Sequence, residues 1–227
     1  RKLKEAGAII LGKAVTTEFA TSDPSPTRNP WNLAHTPGGS SSGSSVAVAV
    51  GMVPAALGSQ TGGSTCRPAA YNGIVGLKPT YGRISRYGVI PVSWSLDTVG
   101  ILVRTVDDAA IMLQAMAGHD PMDPGSSTHT VPDYLAEMNK FDSPPRIGVL
   151  KEYFYDKSSQ EVRRHTESIV QKLAQAGASV AEISLPKSFD TAHSCQRIVM
   201  NVECAAYHQE FFSSRADEYG AHLRANI

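Results

Sequence analysis

Two glycine-led runs of serine constrain this chain more than anything else in it. The first is Gly38-Gly39-Ser40-Ser41-Ser42-Gly43-Ser44-Ser45 and the second is Thr61-Gly62-Gly63-Ser64, with the apolar stretch 46–57 between them. A Ser/Gly run by itself reads as a flexible linker. An apolar run directly behind it, leading into a second Gly-Gly-Ser, reads instead as a folded pair of loops joined by a buried helix. Serine becomes a nucleophile only where one group takes its proton and others hold the oxyanion that forms. Glycines let main-chain N–H groups come close to a reacting carbonyl. No histidine falls between residues 38 and 64. The pattern therefore points away from a Ser-His-Asp triad and towards a serine–serine–lysine relay.

Composition narrows the class. With 227 residues, 41% hydrophobic and 19% charged, the chain is long enough to bury a substantial core as a soluble globular protein. Lys+Arg and Asp+Glu are 21 each, which argues against a general nucleic-acid or anionic-membrane surface. Residues 46–57 are too short and too glycine-rich to span a bilayer. Cys66, Cys195 and Cys204 are odd in number and lack CxxC spacing, as expected for unpaired thiols in a reducing, cytoplasmic compartment. The chain opens on Arg1-Lys2-Leu3-Lys4-Glu5 without a signal peptide and closes on helical composition, so it reads as part of a longer protein.

The coarse pattern alternates strands and helices. Residues 8–11 predict a short buried strand, 21–37 a polar loop, and 44–51 a closely packed buried helix of small residues. Strands are expected at 55–57, 74–77 and 100–103, with a polar turn region at 82–87. Thr105 predicts a helix cap, with Asp107 and Asp108 at the positive end and an apolar stripe running to Gly118. Residues 119–145, with Pro121, Pro124, Pro132, Pro144 and Pro145, read as linker-like. Beyond them a βαβ unit is expected: strand 146–150, amphipathic helix 159–176 ended by Gly177, and strand 178–185. A last helix covers about 189–212. This alternation is that of an α/β fold.

These motifs resemble the amidase signature hydrolases. The likeness runs through Leu11-Gly12-Lys13, Arg28-Asn29-Pro30-Trp31-Asn32, Thr36-Pro37-Gly38-Gly39-Ser40-Ser41 and Thr61-Gly62-Gly63-Ser64. It continues through Gly73-Ile74-Val75-Gly76-Leu77-Lys78-Pro79-Thr80-Tyr81-Gly82-Arg83, Ser95-Leu96-Asp97-Thr98-Val99-Gly100 and Val106-Asp107-Asp108-Ala109. Several motifs in order make the resemblance specific, where a lone Gly-Gly-Ser would not. It implies a mixed β-sheet core sandwiched between α-helices, with residues 1–227 part of a single domain. It implies Ser64 as nucleophile and Ser40, after a cis Gly39–Ser40 peptide, as the bridge to a lysine. The main chain of Thr61, Gly62, Gly63 and Ser64 would form the oxyanion hole, with Gly39 and Ser41 counted among the substrate-binding positions. The family's lysine lies well before the equivalent of Lys13, so it is expected ahead of Arg1; Lys2, Lys4, Lys13 and Lys78 are poor substitutes.

The implied reaction is hydrolysis of an amide C–N bond through an acyl-enzyme on Ser64. The implied substrate is a small amide, carbamate or urea-like molecule. No cofactor and no metal are expected, and no nucleic acid or membrane is contacted directly; a homo-oligomer is compatible with this. Two alternatives stand: the glutaminase component of a tRNA-dependent amidotransferase, which shares the segment like Arg83–Gly88, and a catalytically inert family member or fragment. Gln60 and Cys66 depart from the family's usual Asp and Arg, and Arg67 is displaced by one position. An ion pair bracing the nucleophile loop is thereby replaced by a neutral arrangement, with Cys66 read as a small buried filler. Asp97 reads as a carboxylate that binds backbone N–H groups. Arg83 and Arg86 read as structural ahead of holding a substrate carboxylate, and Trp31 and Trp94 as packing ahead of lining an acyl pocket. Glu203 is a minor candidate for facing the site from the last helix, while His193 and His208 are too far apart for a zinc pair on one turn.

Overall fold

The computed structural model describes residues 1–140, 143–225 and 227. Residues 141 and 142 of the linker-like segment, and residue 226 at the end of the chain, lie outside the described residues. The described chain divides into two compact units, one of residues 1–136 and 197–227, the other of residues 137–196.

The first unit is built on a three-stranded antiparallel sheet in the order β1 (Ala55–Gln60), β3 (Thr98–Val103), β2 (Val75–Leu77). Its two faces are made differently. One face carries Ile101, Val103, Ala55, Val75 and Leu77, and packs against α4 (Val106–Met116) through Ala109, Leu113 and Met116. Ile101, Leu102 and Val103 have no exposed surface, each contributing about 1.5–3 kcal/mol by leaving water. As expected, α4 is capped by Thr105, whose hydroxyl accepts from Asp108 N at 3.1 Å. The ammonium of Lys2, on α1 (Lys2–Glu5), donates to the carbonyls of Ala117 (2.6 Å) and Met116 (3.2 Å) at the other end.

The opposite face is bared by glycine. Gly58 and Gly100 are directly paired across β1 and β3, and Gly76 pairs with Leu102 across β2 and β3, so all three sit on one side of the pleat. A Cβ on Gly58 would stand 2.5 Å from Ser41 Oγ, one on Gly100 2.1 Å from Thr65 Oγ1, and one on Gly76 2.5 Å from Ala69 Cβ. Onto this face come α2 (Ser42–Ala49) and α3 (Cys66–Asn72), joined to the sheet by Val48, Ala69 and Leu102. The three layers realise the helix–sheet–helix sandwich. The bare patch brings the residue after Ser40 and the residue after Ser64 onto neighbouring strands.

The serine run is a helix start rather than a linker. Ser40, Ser41, Ser42, Ser44 and Ser45 are all buried. Ser44 Oγ donates to Leu57 O at 2.7 Å, and Ser41 Oγ exchanges hydrogen bonds with Ser59 N and O. These two hydroxyls satisfy the outward-facing main chain of β1, an edge strand in this unit. Asn72, with no exposed surface, ties the end of α3 to Pro37 O, Pro68 O and Ser45 Oγ, each at 2.8 Å.

Two expectations are corrected. Residues 8–11 form no strand; Ile9, Ile10 and Leu11 are 91%, 54% and 75% exposed, because no strand among the described residues lies alongside to pair with them. The linker-like segment is largely woven into the first unit as far as residue 136. Arg83 donates to His129 O, Thr130 O and Tyr134 Oη, Asp123 forms a buried ion pair with Arg86 at 3.1 Å, and α5 covers Tyr134–Met138.

The second unit is the expected βαβ element. Strands β4 (Arg146–Leu150) and β5 (Ser179–Ile183) pair in parallel, connected by α6 (Gln160–Gln175). Ser159 caps α6 by accepting from Val162 N at 3.3 Å. Its apolar positions Val162, Ile169 and Leu173 are 53%, 43% and 38% exposed, so the stripe legible in the sequence is not closed over within this unit. The last helix, α7 (Ala192–Arg215), starts later than expected because Lys187–Thr191 form a 3₁₀ turn. A short α8 (Ala221–Arg224) follows. No helix of the described residues is long and apolar enough to cross a membrane.

Candidate active site

The two serine segments lie side by side. Ser41 N donates to Ser64 O at 3.3 Å, and the Gly39–Ser40 peptide is cis. Ser40 O accepts from Ser42 N (2.8 Å), Thr16 Oγ1 (2.9 Å) and Thr17 N (3.1 Å). The carbonyl on the other side of the cis bond, Gly39 O, receives Arg67 Nη2 at 2.6 Å and Nε at 3.1 Å. The displaced arginine of the nucleophile loop therefore reaches across and pins the bridging-serine loop.

Among the described residues, the Ser40 hydroxyl is buried and has no hydrogen-bond partner. Its neighbours along the run are all engaged: Ser41 with Ser59, Ser42 with Ser25 Oγ (2.7 Å), Ser44 with Leu57, and Ser45 with Ser42 O (3.0 Å). A buried hydroxyl left unpaired costs about 1–3 kcal/mol, and such an atom is where a functional partner is to be sought. Neither Lys2 nor Lys78 is that partner: Lys2 caps α4, and Lys78 Nζ donates to Pro79 O at 2.7 Å. Lys4 and Lys13 are exposed.

Ser64 is half-buried at the mouth of α3. Among the described residues, the N–H groups of Gly62, Gly63 and Ser64 donate to no protein acceptor. They are held open by what surrounds them. Gln60 Oε1 accepts from both Thr65 N and Cys66 N at 2.9 Å, and its Nε2 donates to Gly62 O at 3.4 Å. One neutral amide thus caps α3 and braces the loop where the family has an aspartate. Thr61 Oγ1 donates to Asp97 Oδ1 at 2.5 Å. The other Asp97 oxygen accepts from Val92 N (2.9 Å) and Ser93 N (3.1 Å), the backbone-binding role read from the sequence. Burial pushes the Asp97 carboxyl above the usual range against those hydrogen bonds.

Other candidates fall outside the chemistry. Cys66 is exposed, with Sγ 3.9 Å from Gly76 O, so the buried-filler reading is corrected: as the first residue of α3 its side chain points off the helix start while Thr65 takes the buried position. Arg83 and Arg86 are committed to internal partners, Arg86 to Asp123, Trp94 O and the face of Tyr81. Trp31 is 69% exposed and donates to Asn72 O at 2.9 Å; Trp94 is 48% exposed. The hydroxyl of Ser41 is taken up by Ser59, so only its main chain faces the nucleophile segment.

Two contributors escape the sequence reading. Gly58 and Gly100, glycines inside strands, are signals of close backbone approach. Phe19 and Ala20 adopt left-handed angles (φ 43° and 59°) just after Thr17, a conformation costing about 1–3 kcal/mol per non-glycine residue. Phe19 is held there by its ring against His208 (4.8 Å) and Tyr219 (5.6 Å). Nothing in the local sequence marks that turn.

A family model described as Amidase matches residues 1–224. The chain belongs to the amidase family. The first of two or more subunits, by its lettering, of the glutamyl-tRNA(Gln) amidotransferase of Carboxydothermus hydrogenoformans is 48% identical over 191 residues, 82% of this amidase-family chain and 39% of that protein. Native peptide amidase from Stenotrophomonas maltophilia superposes with a TM-score of 0.81 at 34% identity, covering 100% of the chain and 53% of the neighbour. A structure described as revealing the evolutionary origins of an s-triazine catabolic enzyme superposes with a TM-score of 0.91 at 34% identity, covering 99% and 50%. The amidase chain thus spans from about two fifths to half the length of these relatives.

Proposed function

We propose that this chain carries the nucleophile half of an amide C–N hydrolase. Ser64 Oγ attacks the carbonyl carbon of a small amide, carbamate or urea-like substrate. Its proton passes to Ser40, and through Ser40 to the departing nitrogen, leaving an acyl-enzyme that water then cleaves. The oxyanion is received by the N–H groups of the 61–64 loop, each such donor being worth about 3–4 kcal/mol of barrier. A lysine activates Ser40; the family resemblance puts it ahead of Arg1. The observation that carries this reading is the buried, unpartnered Ser40 hydroxyl beside a loop of uncommitted N–H groups. The setting is proposed as cytoplasmic.

The test is labelling of the full-length protein with a fluorophosphonate. We expect adduct on Ser64, none in Ser64→Ala, and a rate at least 100-fold lower in Ser40→Ala. Absence of labelling in the folded full-length protein would remove the hydrolase reading and favour an inert family member.

One observation favours a second reading: the relative above at 48% identity is a component of an amidotransferase. On that reading the substrate is glutamine and the ammonia released passes to a companion protein. Ammonia release from glutamine, compared with release from simple primary amides, separates the two, as does co-purification of that companion.

A further inference from the structure

We infer that Glu203, on α7, is a positioning residue for the oxyanion loop, acting through the 92–97 turn and Thr61. This rests on the hydrolase reading above and extends it to a residue from the far end of the chain. Glu203 Oε2 accepts from Ser93 Oγ at 2.5 Å and from Ser95 N at 3.1 Å, while Oε1 accepts from Ser95 Oγ at 2.6 Å. One carboxylate thus clamps a turn more than a hundred residues away in sequence, and Ser93, at its centre, has no exposed surface. Within the turn, Leu96 N and Asp97 N both donate to Ser93 O, at 3.1 and 2.9 Å. Ser93 N donates to Asp97 Oδ2, and Asp97 Oδ1 receives the Thr61 hydroxyl. The path from helix to loop is therefore Glu203, Ser93 and Ser95, Asp97, Thr61, every step a hydrogen bond.

Two features argue for alignment over mere cohesion. Thr61 opens the loop whose next three N–H groups are left for a ligand, so a shift in Thr61 is a shift in those donors. The loop's other brace, Gln60, holds its far end at Thr65 and Cys66 and says nothing about the direction of Thr61. The 61–64 segment is thus fixed at both ends by different side chains, and Asp97 together with Glu203 supplies the brace at the Thr61 end. Removing an oxyanion donor from line costs on the order of 100-fold in rate; a tilt of the loop costs a part of that.

The experiment uses the full-length protein, with Ser64 labelling by a fluorophosphonate resolved into initial binding and bond formation. Glu203→Gln keeps the shape but presents an N–H₂ where the turn offers only donors. We expect its bond-forming rate to fall about 10- to 100-fold, with initial binding changed less than about threefold. Ser95→Ala, the milder variant, should show the same split at a smaller size. Thr61→Val removes the receiving hydroxyl. If Glu203 acts through Thr61, the double variant is no slower than Thr61→Val alone, although the two residues do not touch. Effects that multiply, or a Glu203→Gln protein labelled at the wild-type rate, would overturn the inference. A second readout does not depend on hydrolysis: the amide ¹⁵N shifts of Gly62 and Gly63 should move in Glu203→Gln while that of Gly177 stays. Unmoved shifts overturn the positioning role. Unlabelled wild-type protein overturns the hydrolase reading alone.

Discussion

Replacing Gln60 by alanine tests the architecture of the nucleophile loop most directly. Its Oε1 is the acceptor for two N–H groups at the start of α3, Thr65 N and Cys66 N, both at 2.9 Å. Thr65 itself supplies no side-chain cap. The two donors do not lose equally. Cys66 is exposed, so water takes the place of the amide there. Thr65 has no exposed surface, and its N–H would be left without an acceptor, at about 1–3 kcal/mol. The loss of a helix cap is measured elsewhere at about 0.5–2 kcal/mol. We therefore expect Gln60→Ala to destabilise the first unit by about 2 kcal/mol, a shift of about 1 M in the urea midpoint for an m-value of about 2 kcal/mol/M. Protection of the α3 amides from hydrogen exchange should fall in parallel, and fluorophosphonate labelling of Ser64 should slow by about tenfold or more. Gln60→Glu keeps the acceptor at a helix N-terminus, where negative charge is favoured, and should stay within about 1 kcal/mol of the parent. An alanine variant with an unchanged midpoint and unchanged labelling would show that the loop is held by something other than this amide.

Gly100→Ala places a methyl 2.1 Å from Thr65 Oγ1; overpacking of this kind costs about 1–3 kcal/mol or more, and both the unfolding midpoint and Ser64 labelling should fall. Asp123→Ala leaves Arg86 buried without its carboxylate, and should cost about 3–5 kcal/mol in a chemical melt. In acid the two carboxylates of the site behave oppositely. Burial raises the Glu203 carboxyl, but the donors Ser93 and Ser95 outweigh it and hold the group below its ordinary 4.5; its contribution is present above that value and lost as pH falls through the lower folded one. Burial holds Asp97 above its ordinary 3.8, so the folded state keeps that proton longer and stability falls as pH rises from 3.8 to the raised folded value. Circular dichroism against pH should lose the first dependence in Glu203→Gln and the second in Asp97→Asn; either variant retaining the parent profile would contradict the assignment.

Local chemistry is enough to read several elements. Thr105 and Ser159 announce their helices because a cap bond spans only three residues. Strand 146–150 and its partner around 179–183 follow from apolar patterning and an intervening amphipathic helix. The catalytic candidates Ser40 and Ser64 are legible because glycine beside serine has few other uses directly ahead of a buried helix. Residues 8–11 mislead for the complementary reason: apolar composition reports a preference for burial, while a strand exists only where another strand offers its hydrogen bonds. Cys66 misleads because burial at a helix start depends on which of two neighbours faces the sheet.

The order of elements and the chemical types brought into play were settled by the chain alone, since both depend on interactions within a few residues. Tertiary structure alone decided that Gly58, Gly76 and Gly100 clear one face of a sheet for two serine-bearing loops, that Arg67 pins Gly39, and that Glu203 steadies a turn near Thr61. Each of these joins segments separated by tens to more than a hundred positions. Hydrogen bonds and steric contact act over about 3 Å, and only the folded chain brings such residues that close.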